Sequence, residues 1–475
     1  MKRAMNHPGP IERVASALQR GDRRAVDIVT ASIELLETAN ARLNVIAQPL
    51  YDAALANARD LDDRGHPGPL AGVPTMVKDL EDVAGHPTRQ GSRLLCDAPA
   101  ARITSVTPQR LARAGAVVVA KSTLPEFAIE GYTANDLTGV TRNPWNLDLS
   151  PGGSSGGSAA ALAAGAVGIA TATDGGGSVR IPAALCGLVG LKPTNGLIGR
   201  FPEPDWIDYS TDGVFSTSAR DLALLTSIVA GPVAGDPSGA PRDAWRSRSS
   251  RGPLTLVAAQ RTSPWGPLDH SVERALDEAV DALADLLGAP VTWRDPTSFF
   301  PTGDPDLDWY VTCAAEHVHR LGREVVEDNW DLFHVATREF FSTGLAVTTE
   351  QYLAARRRRF GYARVLDELL GEDALLVTPV VTSQGWAADG ADENGEVHGL
   401  HPRHLATVIQ NITGLPALSV PMGTLASGLP FGLQVTAPRY HDRQLLDLAL
   451  AIEDAYPWPR VAPGYQELPD ALGLD

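Results

Sequence analysis

Between Ser150 and Thr194 the chain reads SPGGSSGGSAAALAAGAVGIATATDGGGSVRIPAALCGLVGLKPT, and no other stretch restricts its fold as strongly. A flexible linker would stay rich in glycine and serine throughout. Here an alanine-rich helical run separates two glycine loops, and an apolar strand follows. The most apolar part, Ala159 to Ala172, is too short to span a bilayer and reads as a buried helix. Each glycine loop ends on a serine, Ser154 in GGSSGGS and Ser178 in DGGGS. Successive glycines let backbone N–H groups converge on one point, and Gly175, Gly176, Gly177 and the N–H of Ser178 suit an oxyanion-binding cluster.

The surrounding segments predict a mixed α/β layer structure. Residues 11–63 carry apolar side chains at helical spacing (Val29, Ile33, Leu36, Leu43), so helices come first. The turn GHPGPLAG leads into VPTMVKDL, a strand-like run ending on Lys78 and Asp79. LARAGAVVVAKSTLPEF then reads as helix, glycine stop, valine-rich strand and loop. Further on, 254–260 and 291–293 suit strands, and 271–289 an amphipathic helix stopped by Gly288. Residues 305–370 are mainly helical, with the basic run Arg356 to Arg359 expected on a solvated face. Strands over 375–381, 417–423 and 432–438 and a closing helix complete the pattern. The expected fold class is therefore α/β: a single large α/β/α domain over 1–475 with a central mixed β-sheet flanked by helices.

Composition narrows the partners. Forty basic against 57 acidic residues give a formal charge of −17, which disfavours attraction to nucleic acid or an anionic membrane and favours a neutral small molecule. Cys96, Cys186 and Cys313 lie far apart with no CxxC pair. They read as buried free thiols in a cytoplasmic protein, with neither a disulfide framework nor a metal site. Lys2 and Arg3 have no apolar run behind them, so the start does not read as a signal peptide.

A serine beside convergent N–H donors is placed to attack a carbonyl, because the developing charge lands on the donors. Ser178 needs a base. His270, His317, His319, His334, His398, His401, His404 and His441 leave a Ser-His-Asp triad open from spacing alone. Lys78 is the alternative. At the end of an apolar run its amine would be partly desolvated and its pKa lowered from about 10.4. Phosphate binding fits less well, since GGSSGGS lacks the GK[ST] ending and DGGGS is followed by no lysine-bearing helix.

GGSSGGSAAALAAG followed by DGGGSVRIPAALCGLVGLKPT resembles the signature of the amidase signature family, as do AGVPTMVKD, TRNPWN, NITGLPALSVPMG and GLPFGLQV, from about Ile11 to about Asp454. The resemblance implies N-terminal helices over 1–65, a signature core over 70–220, a substrate-side helical segment over 305–370 and the rest of the core over 405–455. It implies catalysis by Lys78, Ser154 and Ser178, with Ser154 on a cis peptide as proton relay, Gly175 to Gly177 as oxyanion loop, and Ser155, Asp174 and Arg180 in support. Phe127, Ala128, Trp206, Tyr209, Trp309 and Trp386 fall in segments that line the family's substrate cavity. Two departures, Asn195-Gly196-Leu197 after LKPT and Thr217, are expected to reshape the pocket mouth. The segments around LLVTPVVTSQGW and AYPWPRVAP are similar to the branch of 6-aminohexanoate cyclic dimer hydrolase and its bacterial relatives, including urethanases. The implied function is cofactor-free hydrolysis of a small neutral amide, anilide or carbamate by a monomer or homodimer. The alternative is a glutamine-hydrolysing subunit of an amidotransferase complex.

Overall fold

The computed structural model describes residues 8–65, 68–241, 243–244, 254–262, 268–300, 303–392, 394–399 and 405–474. Residues 1–7, with Lys2 and Arg3, and residues 400–404, with His401 and His404, lie outside them. Thirteen strands are numbered here in chain order: β1 (Ile46–Pro49), β2 (Pro74–Lys78), β3 (Val117–Ser122), β4 (Ala134–Asn135), β5 (Gly139–Val140), β6 (Ile169–Asp174), β7 (Val189–Lys192), β8 (Thr211–Ser216), β9 (Thr255–Ala258), β10 (Val291–Trp293), β11 (Ala374–Pro379), β12 (Ala417–Thr424) and β13 (Pro430–Thr436). Eleven of them form one sheet in the order β1-β3-β2-β6-β8-β7-β12-β13-β11-β9-β10. The β2–β3, β2–β6, β9–β11 and β9–β10 pairs are parallel and the remaining neighbours antiparallel.

Every residue of β2, β6, β8 and β13 is buried, so these central strands are covered on both faces and need no polar alternation. Helices supply the covering layers, and one contiguous apolar core runs through Ile28, Met76, Val119, Ala160, Leu191, Phe215, Leu433 and Leu446. A second core, rich in aromatic rings, joins the segment around Phe127 to the helices Pro305–Leu321 and Val335–Ala346. This is the single mixed α/β domain that the segment pattern predicts.

Three local expectations are corrected. Residues 46–49 are not helical but form the edge strand β1, antiparallel to β3. The run Ala159 to Ala172 is not one helix. The helix Gly156–Ala163 stops where Gly165 turns into left-handed backbone (φ +69°), and the chain re-enters as β6. The arginines at 356, 358 and 359 are not merely solvated. Arg356 pairs with Asp208 at 2.7 Å, Arg358 with Asp308 at 2.5 Å, and Arg359 donates to the Ile412 carbonyl at 2.6 Å. Their acidic partners come from distant sequence, which a local charge run does not reveal.

Candidate active site

Strand β2 delivers Lys78 into the interior, where its side chain is fully buried. The Lys78 backbone N–H donates to Thr171 Oγ1 at 2.9 Å, which ties the end of β2 to β6. Its Nζ lies 2.7 Å from Ser154 Oγ, 3.0 Å from Ser155 Oγ and 2.9 Å from Thr173 Oγ1. Three hydroxyls satisfy the amine in either protonation state. An ammonium donates to all three; a neutral amine donates to two and accepts from the third. Desolvation is the largest influence on Lys78 and lowers its pKa to about 7, against the opposing pull of Glu81, Asp174 and Asp212.

The Gly153–Ser154 peptide is cis, and Ser155 leads into the helix Gly156–Ala163. Ser178 stands between β6 and the short helix Arg180–Cys186. Ser154 and Ser178 both open on a cavity of about 120 Å³ together with Glu81, Thr173, Gly175 and Asp212. No side-chain hydrogen bond joins the two serines among the described residues. None of the described histidines lines this cavity, so the Ser-His-Asp arrangement does not form around Ser178.

The glycine loop is held from behind. The carbonyl of Asp174 accepts from Asn411 Nδ2 at 2.8 Å, that of Gly175 from Trp309 Nε1 at 2.7 Å, that of Gly176 from Thr407 Oγ1 at 2.5 Å and that of Gly177 from the Ile181 N–H at 2.7 Å. In a planar trans peptide the N–H points opposite to the C=O, so anchoring each carbonyl aims the next N–H forward. The Gly177 N–H is nevertheless taken by Asp174 Oδ1 at 2.8 Å. That corrects the expected oxyanion loop: Gly175, Gly176 and Ser178 keep N–H groups with no acceptor among the described residues, and Gly177 serves the turn instead. Rings pack on the loop so closely that a Cβ on Gly175 would meet Trp206 Cε3 at 2.3 Å and one on Gly176 would meet Trp309 Cζ2 at 2.7 Å.

Asp174 and Arg180 form a fully buried bidentate pair, at 2.9 Å (Nε–Oδ2) and 2.8 Å (Nη2–Oδ1). Arg180 also donates to Gln410, Asn411 and Gln434. Burial alone would raise the Asp174 pKa, but the charge and hydrogen bonds of Arg180, with Lys192 and Asn411, hold it at about 2.

Of the residues expected to line the substrate cavity, Phe127, Ala128 and Trp206 line the 120 Å³ space, while Trp206 and Trp309 line a second cavity of about 30 Å³ on the other side of Ser178. Tyr209 and Trp386 do not. Tyr209 is buried under Arg356 and Arg359, whose guanidinium carbons lie 5.2 and 5.3 Å from its ring centroid. Trp386 packs beside Ile181, Leu185 and Leu429. Asn195 and Gly196 face a separate outer groove of about 1210 Å³, and Thr217 lines neither of the cavities at Ser178. Cys96 is exposed, while Cys186 and Cys313 are buried as expected.

The sequence reading overlooked Thr173, Glu81, Asp212, Thr407 and Asn411. Thr171 and Thr173 sit two apart in ATATD, so strand alternation puts both hydroxyls on the face toward Lys78, a signal the segment does contain. The others converge from separate segments and carry no local signature. Among the described residues no group of acidic, histidine and cysteine side chains has the arrangement of a metal site, and no helix is long and apolar enough to cross a membrane.

Fold and site together put the molecule among hydrolases of carbon–nitrogen bonds. It belongs to the amidase signature family: the amidase family model matches residues 27–446. One relative, the amidase-like component of the glutamyl-tRNA(Gln) amidotransferase of Synechococcus elongatus, is 31% identical over 486 residues, spanning 94% of this chain and 98% of the relative. A putative amidase of Mycobacterium tuberculosis, AmiB2, is 31% identical over 464 residues, 94% of this chain and 96% of the relative. Among solved structures, 6-aminohexanoate cyclic dimer hydrolase complexed with substrate superposes with a TM-score of 0.83 at 28% identity, covering 96% of this chain and 98% of the other. A bacterial aryl acylamidase of the same family superposes with a TM-score of 0.83 at 25% identity, covering 95% and 98%.

Proposed function

We propose that this chain, as one amidase domain, hydrolyses the C–N bond of a small neutral amide, anilide or carbamate through an acyl-enzyme on Ser178. The observation that carries this reading is the buried Lys78 amine, titrating at about 7 and hydrogen-bonded to Ser154, in the wall of the cavity on which Ser178 opens. A lysine with that pKa is substantially neutral at physiological pH and serves as a general base.

In the forward step Lys78 Nζ takes the Ser154 proton as Ser154 takes that of Ser178. The Ser178 oxygen bonds to the acyl carbon, and the oxyanion is met by the N–H groups of Gly175, Gly176 and Ser178. The C–N bond then breaks, and its electron pair takes a proton from Ser154, which is replenished from the Lys78 ammonium. Water, deprotonated through the same relay, cleaves the ester and frees Ser178. Asp174 and Arg180 hold the loop and touch no reacting atom. No cofactor enters these steps. Three free thiols suit a reducing cytoplasm, and the proposed assembly is a monomer or homodimer.

The likeness to the amidotransferase component favours a second reading, glutamine hydrolysis for a partner complex. The aromatic walls at Phe127, Trp206 and Trp309 favour apolar or aryl substrates over glutamine's carboxamide. Hydrolysis of a panel of anilides, carbamates and glutamine by the isolated chain, with Ser178→Ala as control, separates them. Anilide or carbamate turnover that disappears in Ser178→Ala is expected. Glutaminase activity alone would transfer the assignment to the second reading.

A further inference from the structure

Ser178 faces two cavities of opposite character. The 30 Å³ space is walled mainly by Ile129, Ile181, Trp309, Leu405 and Val408, with Glu130 as its one carboxylate among the described residues. The 120 Å³ space holds Ser154 and Thr173, and its wall carries five carboxylate side chains against two guanidinium groups. Arg200 lies 3.5 Å from Asp212, and Arg320 pairs with Asp205, so both cations are engaged. Glu81, at 5% exposure, has no cation of its own: Thr171 Oγ1 donates to its Oε2, and its Oε1 has no hydrogen-bond partner among the described residues. A buried carboxyl oxygen left without a donor is costly, and the cost is recovered when a ligand supplies one.

Resting on the proposed relay, the proton for the departing nitrogen comes from Ser154, so that nitrogen must sit on the Ser154 side of Ser178. The amine portion therefore enters the carboxylate-lined cavity and the acyl portion points to the apolar one. We propose that Glu81 is a specificity-determining residue that binds a second N–H donor, an amino or ammonium group, on the amine portion of the substrate. The preferred substrates are then amides or carbamates of short diamines. Amine portions that carry a carboxylate are rejected by Glu81 and Asp212.

The test compares benzamides of one acyl group with short N-aminoalkyl, N-alkyl and N-carboxyalkyl portions of matched length. In the wild type kcat/KM is expected to be about ten-fold higher for the best aminoalkyl member than for its alkyl counterpart, the order of one charge-assisted hydrogen bond, and lowest for the carboxyalkyl member. An amino group moved to the benzoyl ring should bring no gain. In Glu81→Gln the aminoalkyl-to-alkyl ratio within that enzyme should fall toward one, whatever its overall rate. A ratio near one in the wild type at every length, or an unchanged ratio in Glu81→Gln, overturns the proposal. Calorimetric binding of free short diamines and matched monoamines to the wild-type protein needs neither a folded variant nor catalysis: tighter diamine binding supports the assignment, and equal binding refutes it. Failure of Ser178 to become acylated would instead sink the relay and leave the binding result standing.

Discussion

Replacing Lys78 by methionine removes the amine while keeping an unbranched chain of similar length. The displacement of Lys78 from its ordinary 10.5 to about 7 has a thermodynamic counterpart. Between these values the unfolded chain binds a proton that the folded protein does not, so stability rises with pH across that window and levels off below 7 and above 10.5. At pH 7 the penalty carried by the wild type is on the order of 4 kcal/mol, falling to about 2 kcal/mol at pH 9. Lys78→Met escapes the penalty but leaves Ser154, Ser155 and Thr173 without the amine, at about 1–3 kcal/mol for each hydroxyl that finds no other partner. The sign of the net difference at one pH is therefore set by two opposing effects, whereas its pH dependence comes from the lysine. Urea unfolding of both proteins from pH 7 to 9 should show the wild type gaining about 2 kcal/mol relative to Lys78→Met. Parallel stability curves would refute the buried neutral lysine and with it the proposed base.

Other expectations follow from the same geometry. The pH profile of kcat/KM should rise to a plateau with a midpoint near 7, because only neutral Lys78 accepts the proton; a flat profile from pH 6 to 9 would contradict this. Asp174→Asn leaves Arg180 buried without its counter-charge and should destabilise by about 3–5 kcal/mol, read as a large fall in the urea midpoint. Gly175→Ala sets a methyl against Trp206 and displaces an N–H donor, so kcat should fall by about 10²-fold or more with the fold retained by circular dichroism.

The catalytic side chains were legible because two glycine loops ending on serines, and an apolar strand ending on lysine, are local patterns with a chemical meaning. Their immediate support was only partly so. Thr173 could be read from strand alternation in ATATD, but Asn411 and Thr407, which anchor the loop carbonyls, come from more than two hundred residues away. Aromatic character did not separate wall from core: Trp206 and Trp309 face Ser178, while Tyr209 went beneath two arginines and Trp386 into a separate apolar cluster. The glycine triplet misled in one respect, since a run of identical residues hides that Asp174 claims the Gly177 N–H. The fold followed the order of apolar runs. Its errors fell at β1, a short edge strand with no fully buried face, and at Gly165, whose left-handed backbone splits an alanine-rich run.

The measurement closest to the heart of the account is intact-protein and peptide mass spectrometry after rapid acid quench with a turned-over anilide. An added acyl mass on the peptide containing Ser178, missing in Ser178→Ala and slow to form in Lys78→Met, is the predicted result. An acyl group found on another residue, or steady turnover by Ser178→Ala, would contradict it.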